Sequence, residues 1–174
     1  MPKPLDKTSL NGLALSYAAR FATSGAKLEA YLVRKIRERG VADGEAPLDP
    51  RAVVERLVEL KYVDDEAYAR AKAGSLLRKG YGGRRVEEAL RAAGIDEEVR
   101  EETRPDESAM REAALAMARK RRFGPFGSEQ TDRAKREKQI AAMIRAGHGF
   151  DAARALIDAD TIEAAEDWVS EAEE

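Results

Sequence analysis

Apolar residues recur at three- and four-residue intervals along nearly the whole chain. No stretch sustains the period-two alternation of a half-buried strand, so the pattern predicts helices and no sheet. Leu10, Leu13, Ala14, Tyr17, Ala18 and Phe21 outline a first helix, after a proline-bearing start (Met1 to Lys7) that reads as loose. Thr23-Ser24-Gly25 punctuates. Leu28, Tyr31, Leu32 and Ile36 carry a second helix to Gly40, a residue suited to a helix C-terminus. After a polar loop, Leu48-Asp49-Pro50 opens a third. Asp49 can cap free amides, Pro50 has no N–H to lose at that position, and Leu48 can staple onto Val53. Val53, Val54, Leu57, Val58 and Leu60 form its apolar stripe.

The same grammar repeats. Asp64 is the next cap, ahead of Ala67, Tyr68, Ala71, Ser75 and Leu76. Val86, Ala89 and Leu90 mark a further helix, and Ile95-Asp96 opens a short one that ends by Pro105. Asp106 starts another through Ala109, Ala113 and Met117, which Gly124-Pro125-Phe126-Gly127 breaks. Ile140, Met143 and Ile144 lead to Gly147-His148-Gly149, and Phe150-Asp151 restarts with Ala155, Leu156 and Ile157. Three helices in second position share an i, i+4 apolar pair: Leu28/Leu32, Val86/Leu90 and Ile140/Ile144, spaced by 58 and 54 residues. The expected architecture is therefore all-α, with a degenerate repeat of about 55 residues, one three-helix unit each. The boundaries expected are a flexible N-terminus at 1–8, repeats at 9–62, 63–105 and 106–158, and an acidic tail at 159–174.

Composition sharpens this picture. Ala, Leu, Arg and Glu abound, and these residues lose little entropy in helices. There is no cysteine, hence no disulfide and no thiolate metal site. No apolar run approaches a membrane span, and the start lacks a secretory apolar region, so a cytoplasmic location is expected. The net charge of −2 hides an asymmetry: residues 158–174 hold eight acids and no base. Setting them aside leaves 25 acids against 31 bases, a net of +6. A basic body suits a phosphate-bearing partner. The tail is expected to tune binding without building the core. Ile162, Ala165, Trp168 and Val169 would make a short, weakly docked helix with a cap-like start at Asp160 and Glu163. Truncation after Ile157 should then preserve helicity and raise DNA affinity.

Candidate chemistry is sparse. Asp64 and Asp65 are adjacent at a helix start, where carboxylates cap amides and meet the dipole rather than share a catalytic pocket. Gly80-Tyr81-Gly82-Gly83 lacks the strand and spacing of a nucleotide fingerprint, and reads as a tight corner between helices. His148 has no second histidine or cysteine to make a metal site. No nucleophile elbow is present. No cofactor, metal or catalytic residue is expected, and the chain reads as a binding protein. The binding candidates are basic: Arg78, Lys79, Arg84 and Arg85 around the glycine corner; Arg119, Lys120, Arg121 and Arg122; and Arg133, Lys135, Arg136 and Lys138. The last two groups make the best phosphate-tracking surface. Arg34, Lys35, Arg37 and Arg39 form a further basic helix end.

Tyr62-Val63-Asp64-Asp65-Glu66-Ala67-Tyr68-Ala69, Lys79-Gly80-Tyr81-Gly82 and Leu90-Arg91-Ala92-Ala93-Gly94-Ile95 occur in order and at the spacing of a known signature. In these residues the chain resembles the RecX regulatory proteins of bacteria. The match is firm over residues 50–100 and looser on either side. It departs at Lys61, where the family often has Gly, and at Tyr68, where Phe is common. The resemblance implies tandem three-helix units forming an elongated, curved molecule, and a monomer is expected. It also implies binding to the RecA recombinase filament on single-stranded DNA, with inhibition of ATPase and strand exchange, and so a role in regulating DNA repair, recombination and the SOS response. Direct contact with single-stranded DNA stays open. Two rivals are a helix-turn-helix transcription regulator and a helical adaptor for an acidic protein. Base-reading amides are scarce (Asn11, Gln130, Gln139), which weighs against the first.

Overall fold

Side-chain caps set most of the helix starts. The computed structural model describes residues 1–128 and 132–173; Gln130 and Glu174 lie outside them. Asp6 begins α1 (Lys7–Arg20), Ser24 begins α2 (Gly25–Arg39) and Asp49 begins α3 (Pro50–Glu59), each side chain accepting from an amide three residues on. Asp64 does the same for α4 (Asp65–Arg78), taking the Ala67 amide at 3.0 Å. Then come α5 (Gly83–Ala92) and α6 (Glu97–Glu102). Asp106 caps α7 (Glu107–Arg121), and Asp132 caps α8 (Arg133–Arg145). Helix α9 (Phe150–Ile157) starts at Gly149 with no side-chain cap, so Asp151 sits inside its first turn. Thr161, and not Asp160, caps α10 (Ile162–Ser170).

The fold is all-α and built of repeated three-helix sets; among the described residues the one β feature is an isolated bridge between Leu5 and Val41. The i, i+4 pairs that suggested the repeat point inward. Leu28, Leu32, Val86, Leu90 and Ile140 are buried, and Ile144 is half-buried.

Contacts divide the chain into two compact units: Met1–Ala69 with Arg91–Val99, and Arg70–Leu90 with Arg100–Glu174. The first packs Leu10, Ala14, Leu28, Leu32, Val53, Val54, Leu57 and Val63 together, with Leu48 against them. The start of the chain, read as loose, adds Leu5, fully buried and bonded through its backbone to Gly40 and Ala42. Asp65, in the first turn of α4, reaches beyond its own helix: its Oδ1 accepts from the Gly25 amide at 2.8 Å, at the start of α2. Gly94 (φ 70°) closes α5, and a Cβ there would lie 2.4 Å from that of Ala26.

The second unit packs Ala114, Met117, Ala118, Ile140, Met143, Ala153, Leu156 and Ile157 with Ala165. Ala165 is fully buried and Val169 nearly so, with Trp168 packed beside them. The acidic segment therefore completes this core, contrary to the expectation that it stays outside.

Candidate functional site

All twelve basic candidates lie in the second unit, and eleven are exposed; Arg136 is half-buried. Arg78 and Lys79 end α4, and Arg84 and Arg85 open α5. Between them Gly80 (φ 90°) turns the chain in the left-handed region that glycine favours. This corner docks on the turn after α8. The Gly82 amide donates to the Ala146 carbonyl at 2.9 Å and the Arg84 amide to that of Gly147 at 3.2 Å. A Cβ at Gly82 would lie 2.4 Å from the Gly147 carbonyl, so only glycine permits the approach.

His148 completes the joint. It is buried, and its Nε2 lies 2.8 Å from the Gly80 carbonyl, which requires the tautomer that donates from Nε2. Burial pushes its pKa down, so the ring is neutral at pH 7. Histidine here joins two turns. Tyr81 is half-buried in the corner, with the Arg85 guanidinium 5.4 Å from its ring.

The other two clusters meet. Helix α7 ends in Arg119–Arg121 with Arg122 as the cap that follows, and α8 begins at Arg133. Arg121, Arg122, Lys135 and Lys138 line one open groove of about 530 Å³, joined by Arg145 and floored in part by Gln139. No carboxylate lines it among the described residues. Gln139 is buried, and its side-chain oxygen accepts from the Gly124 amide at 2.9 Å.

Arg145 was not singled out from sequence. Its signal was available: Lys135, Lys138, Ala142 and Arg145 fall on one helical face at i, i+3, i+7 and i+10. It stands two residues before Gly147, whose carbonyl receives the Arg84 amide, so it lies between the groove and the glycine corner along α8.

Other cations of the surface already hold acids. Arg136 makes a two-point pair with Asp158, at 2.5 and 2.6 Å, and Arg154 reaches the same carboxylate at 3.6 Å. The Arg136 hydrogen bonds hold the Asp158 carboxyl below its ordinary range. Arg119 pairs with Glu166 of α10 at 2.5 Å, and Arg133 with Glu137 at 3.1 Å. Among the described residues, no group of three or more His, Asp or Glu is placed to hold a metal ion, and no helix is long and apolar enough to cross a membrane.

A family model described as "RecX, second three-helix domain" matches residues 64–103, the stretch of α4, α5 and α6. The Regulatory protein RecX of Myxococcus xanthus is 35% identical over 167 residues, covering 91% of this chain and 89% of its own. A Regulatory protein RecX of Thermus thermophilus is 35% identical over 144 residues, covering 82% of this chain and 87% of its own. Among solved structures, RecX from Lactobacillus salivarius superposes with a TM-score of 0.67 at 14% identity, over 94% of this chain and 96% of its own. At that identity the superposition speaks for the fold alone.

Proposed function

This chain belongs to the RecX family of regulatory proteins, and from that premise we propose that it docks on the RecA filament on single-stranded DNA and restrains ATP hydrolysis and strand exchange. The observation that carries the reading is the relationship spanning 91% of the chain, which includes both compact units.

The surface chemistry suits a partner built on phosphates. Arg84 and Arg85 stand in the first turn of α5, and Arg133, Lys135 and Arg136 in that of α8, neither of which carries an acid. Cations there oppose the helix dipole and cost stability. Arg133 and Arg136 are offset by Glu137 and Asp158, whereas an anionic partner would offset Arg84, Arg85 and Lys135. Arg119, Lys120 and Arg121 sit at the end of α7, where the dipole alone favours them, so they weigh less. Gln139 is buried and engaged by Gly124, which removes one of the few amides able to read a base and weakens the transcription-regulator alternative.

RecA ATPase measured on single-stranded DNA, with this protein titrated in, tests the proposal. Hydrolysis should fall at substoichiometric to near-stoichiometric amounts, and strand exchange with it. Unchanged hydrolysis at several-fold excess of folded protein would refute it.

A further inference from the structure

Helix α7 closes in a way its sequence does not favour. Arg122 holds φ 56° and ψ 46°, in the left-handed region. Its amide donates to Arg119 at 3.3 Å, and the Phe123 amide donates to Ala118 at 2.8 Å. This is the closing motif that glycine normally supplies. In the same unit Gly80 closes α4 and Gly147 closes α8 with the same pair of bonds. Arginine at such a position carries steric strain that glycine does not. Strain held by a side chain that also faces a groove points to function.

The groove that Arg122 faces is set apart by its charge. Arg111, Arg119, Arg133 and Arg136 of this unit each hold a carboxylate. Arg121, Arg122, Lys135, Lys138 and Arg145 converge on a surface that no described carboxylate lines. Among the described residues, that sets the groove apart from the paired arginines around it.

We infer that this groove takes consecutive phosphates of a single nucleic-acid strand, and that Arg122 occupies a glycine position in order to supply one of its cations. The groove is open and its cations are exposed, which suits a strand passing over it; a small free polyphosphate is held better where donors enclose it. Phe123 is 9% exposed and faces the Arg121 guanidinium at 5.1 Å, so it offers no free face for stacking a base. Recognition is of the backbone and tolerant of sequence. The inference deepens the proposed function by naming where a strand lies, and it is tested without RecA.

The experiment is anisotropy of a labelled oligothymidylate, over a salt series, with the full chain and its Arg122→Gly, Arg122→Ala and Lys138→Gln/Arg145→Gln variants. Arg51→Gln, on an exposed residue paired with Glu55 in α3, is the charge-matched control. Both Arg122 variants should bind about threefold or more weakly at low salt, with the log–log salt slope shallower by about 0.7. Arg122→Gly should melt above Arg122→Ala, since only glycine relieves the backbone. The double variant should lose more affinity, and the control none. Parental affinity in the Arg122 variants, or equal melting of the two, overturns the inference. So does displacement of the strand by tripolyphosphate at matched phosphate concentration, which would assign the groove to a free anion. A parent chain that binds no strand but still slows RecA refutes this inference alone; one that binds the strand and leaves RecA untouched refutes the proposed function alone.

Discussion

Lys61 stands where a glycine would be easier. Its φ of 63° is left-handed, its amide donates to Val58 at 3.0 Å, and that of Tyr62 donates to Leu57 at 2.9 Å, closing α3. Nothing in the structure accounts for the lysine. Lys61→Gly should therefore raise stability by about 1 kcal/mol, as a side chain in this region costs about 1–2 kcal/mol and the flexibility of glycine offsets part of the gain. Urea midpoints of the two proteins decide it, and an unchanged or lower midpoint for the glycine variant would show that the lysine contributes something of its own. The departure from glycine was legible in the sequence; the positive φ behind it needed the coordinates. The Asp64-Asp65 pair shows the same limit. Capping was the right physics for both, but Asp65 caps a helix that begins 40 residues earlier, and no local pattern encodes that partner.

Between elements, the decisive contact joins two turns. The chain pattern marked Gly80–Gly83 and Gly147–Gly149 as breaks, each for its own local reason. What it left out is that they are one joint, held by the Gly82 and Arg84 amides and by His148 on the Gly80 carbonyl. Close approach needs glycine on both sides, and burial of a neutral imidazole needs a carbonyl within reach; both conditions involve residues far apart in the chain, 68 positions for His148 and Gly80. Gly82→Ala should cost about 1–3 kcal/mol, the usual penalty of forcing extra volume into a packed site, or more where the backbone cannot give. Because its Cβ meets backbone and not a flexible side chain, relaxation is restricted. Thermal unfolding of the variant measures this, and a melting temperature equal to the parent's would mean that the turns can part freely. The basic groove follows the same logic: its two clusters were visible as charge runs, while the Arg145 that extends them lay hidden in a mixed stripe.

Across the whole molecule, charge and core are not separable in the way the acidic composition suggested. The eight acids after residue 157 read as a tail outside the core, since charge dominates their pattern and only Ile162, Ala165, Trp168 and Val169 show helical apolar spacing. Burial of Ala165 and Val169 makes the segment structural, so truncation after Ile157 should destabilise the second unit rather than free a binding surface. The electrostatic idea survives in two exposed pairs, Asp158 with Arg136 and Glu166 with Arg119. Asp158→Asn/Glu166→Gln keeps every buried contact and releases both cations. At pH 7 the loss of stability should stay within about 0.2–1 kcal/mol per pair, the range of solvent-exposed ion pairs. For Asp158 the folded pKa is depressed, so its contribution is complete above the unfolded value near ~3.9 and is lost as pH falls through the folded value. The urea midpoints of parent and Asp158→Asn should therefore differ at pH 7 and converge in strong acid. Freed of their carboxylates, Arg119 and Arg136 become available to phosphates. The double variant should bind an oligothymidylate more tightly at low salt, with a gain that shrinks as salt screens the charges. An affinity no higher than the parent's would show that these acids do not compete with phosphate for the surface, and that their role is confined to tying the end of α9 to α8 and α10 to α7.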